Sequence, residues 1–127
     1  MLYYLCLLKK EGANVVNLEN LRKGSAEILI LHLLIQGDSY GYKLIKDIAA
    51  MCSEQYAPPG GTLYPVLYRL VERGYVTDYD TYQGKRKRLN YRITEEGKLY
   101  FQELWGEYRL WTEEMYSIVE GQGDDAG

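Results

Sequence analysis

The chain has one histidine, one phenylalanine, three prolines and two cysteines among its 127 residues. Each shortage excludes something. His32 stands alone in the middle of an apolar run, and no histidine or cysteine cluster has the spacing of a metal site. Cys6 and Cys52 form no CxxC pair and fit a reduced cytosol, with a disulfide between them left open. There is no nucleophile elbow and no phosphate loop, since Gly60-Gly61 precedes a helix but lacks the lysine such a loop needs. The chain therefore reads as no enzyme and implies no cofactor. Long hydrophobic runs are also missing. The opening "MLYYLCLL" is too short to span a bilayer, and Lys9-Lys10 follow it where a signal peptide would place its charge first. These features predict a cytoplasmic protein without a membrane partner.

What is present is an ordinary globular balance, 46% apolar and 26% charged residues, in a length suited to one domain. Tyrosine is overused at 14 residues; its apolar ring and polar tip suit surfaces that are half buried or that touch a partner. The formal net charge of -3 hides an asymmetry. Residues 1–93 hold 13 basic and 9 acidic side chains and residues 94–127 hold 2 and 9, so the two parts carry +4 and -7. A basic body calls for an anionic partner. Much of that charge is one block, Lys85, Arg86, Lys87 and Arg88.

Periodicity predicts a helix from about Leu18 to Ile35, with Leu18, Leu21, Ile28, Leu31 and Ile35 in register and further apolar residues on its other faces. Gly37 can close it. A second helix, capped by Asp38 or Ser39 and running to about Cys52, buries Leu44, Ile45, Ile48 and Ala49. "SEQYAPPGG" breaks the chain. A third helix, capped by Thr62 with Pro65 in its first turn, ends before Gly74 and buries Leu63, Leu67, Leu70 and Val71. The period then changes to two. "YVTDYDTY" and "LNYRI" read as paired strands, with Leu89, Tyr91 and Ile93 facing inward, and the basic block falls at the tip and return of the hairpin. Thr94 can cap a last helix, with Glu95 and Glu96 in its first turn and Gly97 where a capping box would have Glu. Phe101, Leu104, Tyr108, Trp111, Met115 and Ile118 recur at 3 and 4, a heptad seam. The expected fold is mainly α with a small β-hairpin: a winged helix-turn-helix over 18–93 and a C-terminal dimerisation helix over 94–120. Residues 1–17 are read as an N-terminal extension and 121–127 as a disordered tail.

"LRKGSAEILILHLL", "SYGYKLIKDI", "GGTLYPVLYRLVERGYV" and "GKRKRLNYRITEEGK" resemble the PadR family of bacterial transcriptional regulators, from about Leu18 to Trp111. The helix motif paired with a basic turn and "YxITxxG" carries the resemblance; residues 1–17 fall outside it. It implies a homodimeric winged-helix repressor of the small subgroup, whose last helix packs with the first to build the dimer.

Several residues become candidates for contact with double-stranded DNA. Lys85, Arg86, Lys87 and Arg88 would neutralise phosphates from the wing, against the bland reading of a solvated loop. Thr62, Tyr64, Pro65 and Tyr68 would belong to a recognition helix, against an ordinary helix surface. Arg69 either joins them or pairs with Glu72 or Asp78. Tyr40 and Lys43 resemble residues that meet the DNA backbone in this fold. The heptad seam is the candidate dimer interface, and a dimer would read a pseudo-palindromic operator. Trp105 and Trp111 are candidates for stacking a small aromatic effector, as in some small relatives, against the commoner role of core packing. The rival function is a winged helix used for protein–protein contact, which would bind DNA only weakly and without preference.

Overall fold

The computed structural model describes residues 13–53 and 56–125. Elements follow in the order α1 (Ala13–Gln36), β1 (Ser39–Tyr40), α2 (Gly41–Met51), α3 (Gly60–Glu72), β2 (Val76–Gln83), β3 (Arg86–Ile93) and α4 (Glu95–Asp125). The first helix starts before the expected Leu18, and the last reaches Asp125 instead of ending at 120. "GQGDD" contains glycine but no proline, so nothing in it removes an intrahelical hydrogen bond. Residues 1–12 of the expected extension lie outside the described residues.

Helices α1, α2 and α3 enclose one core with the base of the sheet. Ala26, Ile30, Leu31 and Leu34 of α1 meet Leu44 and Ile48 of α2, Leu63, Val66, Leu67 and Leu70 of α3, and Val76, Tyr91 and Ile93 of the strands. Burying one such Leu or Ile is worth roughly 1.5–3 kcal/mol, so the core rests on many comparable contributions. Some expected core positions shift. Ile35 and Ala49 are exposed, whereas Ile30, Leu34 and Val66 are buried. On helices this apolar, several stripes compete, and the neighbours decide which one is covered. The side chains of Leu18 and Leu21 lie outside the described residues.

Two helix starts also differ from expectation. Asp38 and Ser39 do not cap α2; Tyr40 holds the cap position and makes no side-chain cap bond. The reason is that Ser39 and Tyr40 pair with Tyr91 and Asn90 as a third, two-residue strand. Helix α3 begins at Gly60 behind Pro59, whose carbonyl accepts from the N–H groups of Thr62 and Leu63 at 2.9 and 3.1 Å. Thr62 is thus inside the helix. Pro65 sits beyond the first turn and leaves the carbonyl of exposed Gly61 without its i+4 donor.

The exit from α3 is a Schellman turn: Tyr75 N–H donates to Leu70 O and Gly74 N–H to Val71 O, both at 3.0 Å, with Gly74 at φ 80°. β2 and β3 then pair along their length, from Val76↔Ile93 to Gln83↔Arg86. Gly84, at φ 65°, opens the two-residue turn as in a type II′ hairpin. The sheet order is β1-β3-β2. Tyr91 and Ile93 point into the core as expected, but Leu89 is 42% exposed because the hairpin has by then left the helices behind. Thr94 caps α4, its Oγ1 accepting from Gly97 N–H at 3.0 Å and donating to Gly74 O at 2.7 Å. Near its start α4 returns to α1, where Phe101 packs on the core and Tyr100 donates to Glu27 Oε1 at 2.9 Å.

Candidate nucleic-acid interface

The strand β1 is the hinge of the site. It passes directly into α2, and its pairing with β3 sets the hairpin beside the helix N-terminus. Tyr40, Tyr42, Gln83, Arg86, Lys87 and Arg88 line one open cleft of about 480 Å³. Sequence reasoning chose four of these six and missed Tyr42 and Gln83. Tyr42 is 64% exposed, and Lys46 Nζ sits 5.5 Å from its ring centre. Only the fold brings it to the wing; its position one residue inside α2 was the available signal.

The four cations of the block differ in their surroundings. Arg88 lies over the Tyr40 ring at 4.0 Å, a cation–π contact that holds the guanidinium in place. Lys87 pairs with Asp80 at 3.5 Å. Lys85 and Arg86 at the tip are exposed and make no ion pair among the described residues. Below the block, Asn90 Nδ2 donates to Thr81 Oγ1 at 2.7 Å.

At the base of the hairpin, Asp38 Oδ2 accepts from Tyr79 Oη at 2.6 Å and from Arg92 Nε at 3.0 Å, while Arg92 Nη2 stands 2.9 Å away. These hydrogen bonds, that of Tyr79 first and then that of Arg92, hold the Asp38 carboxyl below its ordinary range and raise the Arg92 and Tyr79 values. Nothing in the sequence reasoning placed Asp38 here, because its partners are 41 and 54 residues away.

On α3, Tyr64 is half-buried and Tyr68 is 53% exposed, with ring centres 6.1 Å apart. The Tyr64 ring packs against Gly41, so the first residue of α2 touches the first half of α3. Tyr91 stands behind them; burial first, then the neighbouring Tyr68, Asp78 and Tyr64, pushes its phenol up. Thr62 is half-buried and Pro65 exposed. Arg69 is exposed and pairs with neither Glu72 nor Asp78, so the structural alternative for it is not realised among the described residues. Lys43 is bound to Asp47 at 2.7 Å, which raises its value and ties down its charge.

The α4 seam is a separate feature. Phe101 belongs to the core of its own domain. Leu104 and Tyr108 are half-buried, and Trp111, Met115 and Ile118 are exposed. Trp105, Tyr108 and Trp111 form a ladder of rings 6.2 and 6.3 Å apart. The two tryptophans line different hollows. Trp105 closes an apolar cleft of about 420 Å³ with Ile28, Leu29, His32 and Phe101, and Trp111 borders one of about 230 Å³ near the helix end. Among the described residues no helix is long and apolar enough to cross a membrane, and no group of acidic, histidine or cysteine side chains could hold a metal ion.

Three helices, a paired connector strand and a basic hairpin define a winged helix-turn-helix protein. Within that class the match is specific: residues 30–103 fit the transcriptional regulator PadR-like family, and the chain belongs to it. An uncharacterized protein X of Lysinibacillus sphaericus is 33% identical over 101 residues, 78% of this chain and 92% of that protein. The transcriptional regulator YqjI of Escherichia coli is 34% identical over 80 residues, 63% of this chain but 37% of its own length. Among solved structures, a transcriptional regulator from Clostridium thermocellum superposes with TM-score 0.71 at 36% identity, covering 79% of this chain and 95% of that one. Bacillus subtilis PadR in complex with operator DNA superposes with TM-score 0.55 at 27% identity, covering 61% and 44%. Members of this family regulate transcription and are not enzymes.

Proposed function

We propose that this protein is a homodimeric regulator that binds double-stranded DNA at a pseudo-palindromic operator and acts as a repressor released by a signal. The observation that carries the reading is the cleft in which Arg86, Lys87 and Arg88 face Tyr40 and Tyr42 at the start of α2. A winged helix places such cations beside the phosphates that flank a major-groove helix. Thr62, Tyr64, Pro65, Tyr68 and Arg69 on α3 take the role of the groove-facing residues. Tyr40, Lys43 and the wing cations Lys85, Arg86, Lys87 and Arg88 take the backbone. The operator complex of the Bacillus subtilis relative supports DNA as the partner.

Leu104, Tyr108, Trp111, Met115 and Ile118 form the face that a second copy covers, with Phe101 at its inner end. The release signal is a small flat molecule that enters against Trp105, whose cleft is lined almost entirely by apolar side chains. Trp111, farther along α4, serves the dimer seam.

A gel-shift titration against the region upstream of its own gene, at two salt concentrations, tests the reading. Replacing Lys85, Arg86, Lys87 and Arg88 by Ala should weaken binding to all duplexes. It should flatten the dependence of log K on log salt by roughly 2 to 4, the upper value holding only if every cation meets a phosphate. An unchanged slope would remove the wing from the interface. Weak binding without preference for any duplex would favour the protein-contact alternative.

A further inference from the structure

Asp38, Ser39 and Tyr40 alternate in direction, as residues on a strand must. Ser39 is turned into the core at 7% exposure, while Asp38 and Tyr40 stand on the outer side. Each of those two holds the hairpin at a different height. Asp38 grips Tyr79 on β2 and Arg92 on β3 through one carboxylate oxygen, so a single group spans both strands. Tyr40 lies under Arg88, four residues along β3 from Arg92 and about 13 Å nearer the tip. A hairpin held at one point can swing; one held at two points along its length cannot. The same short connector leads into Gly41, which touches Tyr64 of α3. The wing and the proposed recognition helix are therefore referenced to one segment.

We propose that Asp38 is a positioning residue for DNA binding: through Arg92 and Tyr79 it fixes the pitch of the wing, so that Lys85 and Arg86 reach phosphate while α3 lies in the groove. The proposal rests on the DNA-binding reading above. It makes a prediction opposite in sign to simple electrostatics. Asp38 is a negative charge near the interface, and deleting it should tighten binding to a polyanion if charge were all that mattered. Deleting a positioning group should weaken binding, because the wing then has to be ordered as the complex forms.

The test uses a duplex selected by the wild-type protein from a random pool, with one unselected duplex of the same length beside it. Asp38→Asn should bind the selected duplex about three- to tenfold more weakly, the range expected from losing one exposed, charge-assisted cluster. Asp78→Asn removes the same charge from a β2 carboxylate that makes no ion pair among the described residues, and should bind as well as wild type or better. In a Lys85→Ala/Arg86→Ala background, Asp38→Asn should cost little further, since the part it positions is gone. Amide hydrogen exchange over residues 83–88 should quicken in Asp38→Asn while α3 keeps its protection. A purely structural role would lower the unfolding midpoint and leave this pattern of affinities untouched. Asp38→Asn binding as tightly as wild type, or losing as much affinity without the tip cations as with them, would overturn the proposal. A wild-type protein that selects no duplex from the pool would instead sink the DNA-binding reading, and the proposal with it.

Discussion

Replacing Gly97 by Ala should destabilise the protein by about 2–4 kcal/mol, although the same change helps most helices. Gly97 is the third residue of α4, and its N–H donates to the Thr94 cap at 3.0 Å. A Cβ there would run into the carbonyl oxygen of Tyr75, with Tyr75 C 3.0 Å and Ile93 Cγ1 2.8 Å away. In an open helix, Ala for Gly gains up to about 1 kcal/mol. Forcing a methyl into a packed contact costs about 1–3 kcal/mol, and more where the obstacle cannot turn aside. Here the obstacle is backbone, and it is tied: Tyr75 O accepts from Thr94 N–H at 3.0 Å, while the Tyr75 ring stacks on Tyr100 at 4.1 Å and 5°. Moving the carbonyl would strain a hydrogen bond worth about 1 kcal/mol. Two penalties thus oppose one smaller gain. A chain of this size shifts its thermal midpoint by about 3–5 °C per kcal/mol, so a drop of about 6 °C or more is expected. Thermal and urea unfolding followed by circular dichroism measure the two quantities. Gly106→Ala is the control, because nothing lies within 4 Å of its Cβ and the residue falls opposite the heptad seam. The control should be stabilised. Gly97→Ala as stable as wild type, beside a stabilised Gly106→Ala, would refute the steric argument.

Three other outcomes are expected. Gly41→Ala places a Cβ 2.8 Å from Cε1 of Tyr64, a side chain that can turn, so the unfolding midpoint should move little while preference for a selected duplex over a random one falls severalfold. Burial and the hydrogen bond to Glu27 push the Tyr100 phenol up to about 12; the folded state keeps that proton where the unfolded chain has lost it, so stability should fall as pH rises from 10 to 12, and Tyr100→Phe should flatten that fall and remove the latest step from the 295 nm tyrosinate titration. Ser39 Oγ is buried without a hydrogen-bond partner among the described residues, so Ser39→Ala should be neutral or stabilise by up to about 1 kcal/mol in urea unfolding, where losing a bonded serine would destabilise.

The parts of the fold that could be read in advance are those specified locally. Hydrophobic period gave three helices and a hairpin, and Thr94 with Glu95 and Glu96 marked the start of α4 in the sequence itself. What was misread depends on partners far along the chain. Asp38 and Ser39 have the chemistry of helix caps, and the local rule for such residues before an apolar stripe is sound. It fails here because β3, about fifty residues later, offers Ser39 and Tyr40 a strand to pair with and Asp38 an arginine to bind. The missing capping-box glutamate has the same origin: only glycine fits under Tyr75 O, and that carbonyl arrives from the turn after α3. The basic block makes the point for function. Its four charges look equivalent in the sequence, yet Lys87 is paired with Asp80, Arg88 is laid on Tyr40, and Lys85 and Arg86 make no ion pair among the described residues. A cation already neutralised within the protein releases fewer counterions when it meets a phosphate, since its own ion pair competes. The salt dependence of DNA binding should therefore fall more for Lys85→Ala or Arg86→Ala than for Lys87→Ala, whose charge is already engaged by Asp80.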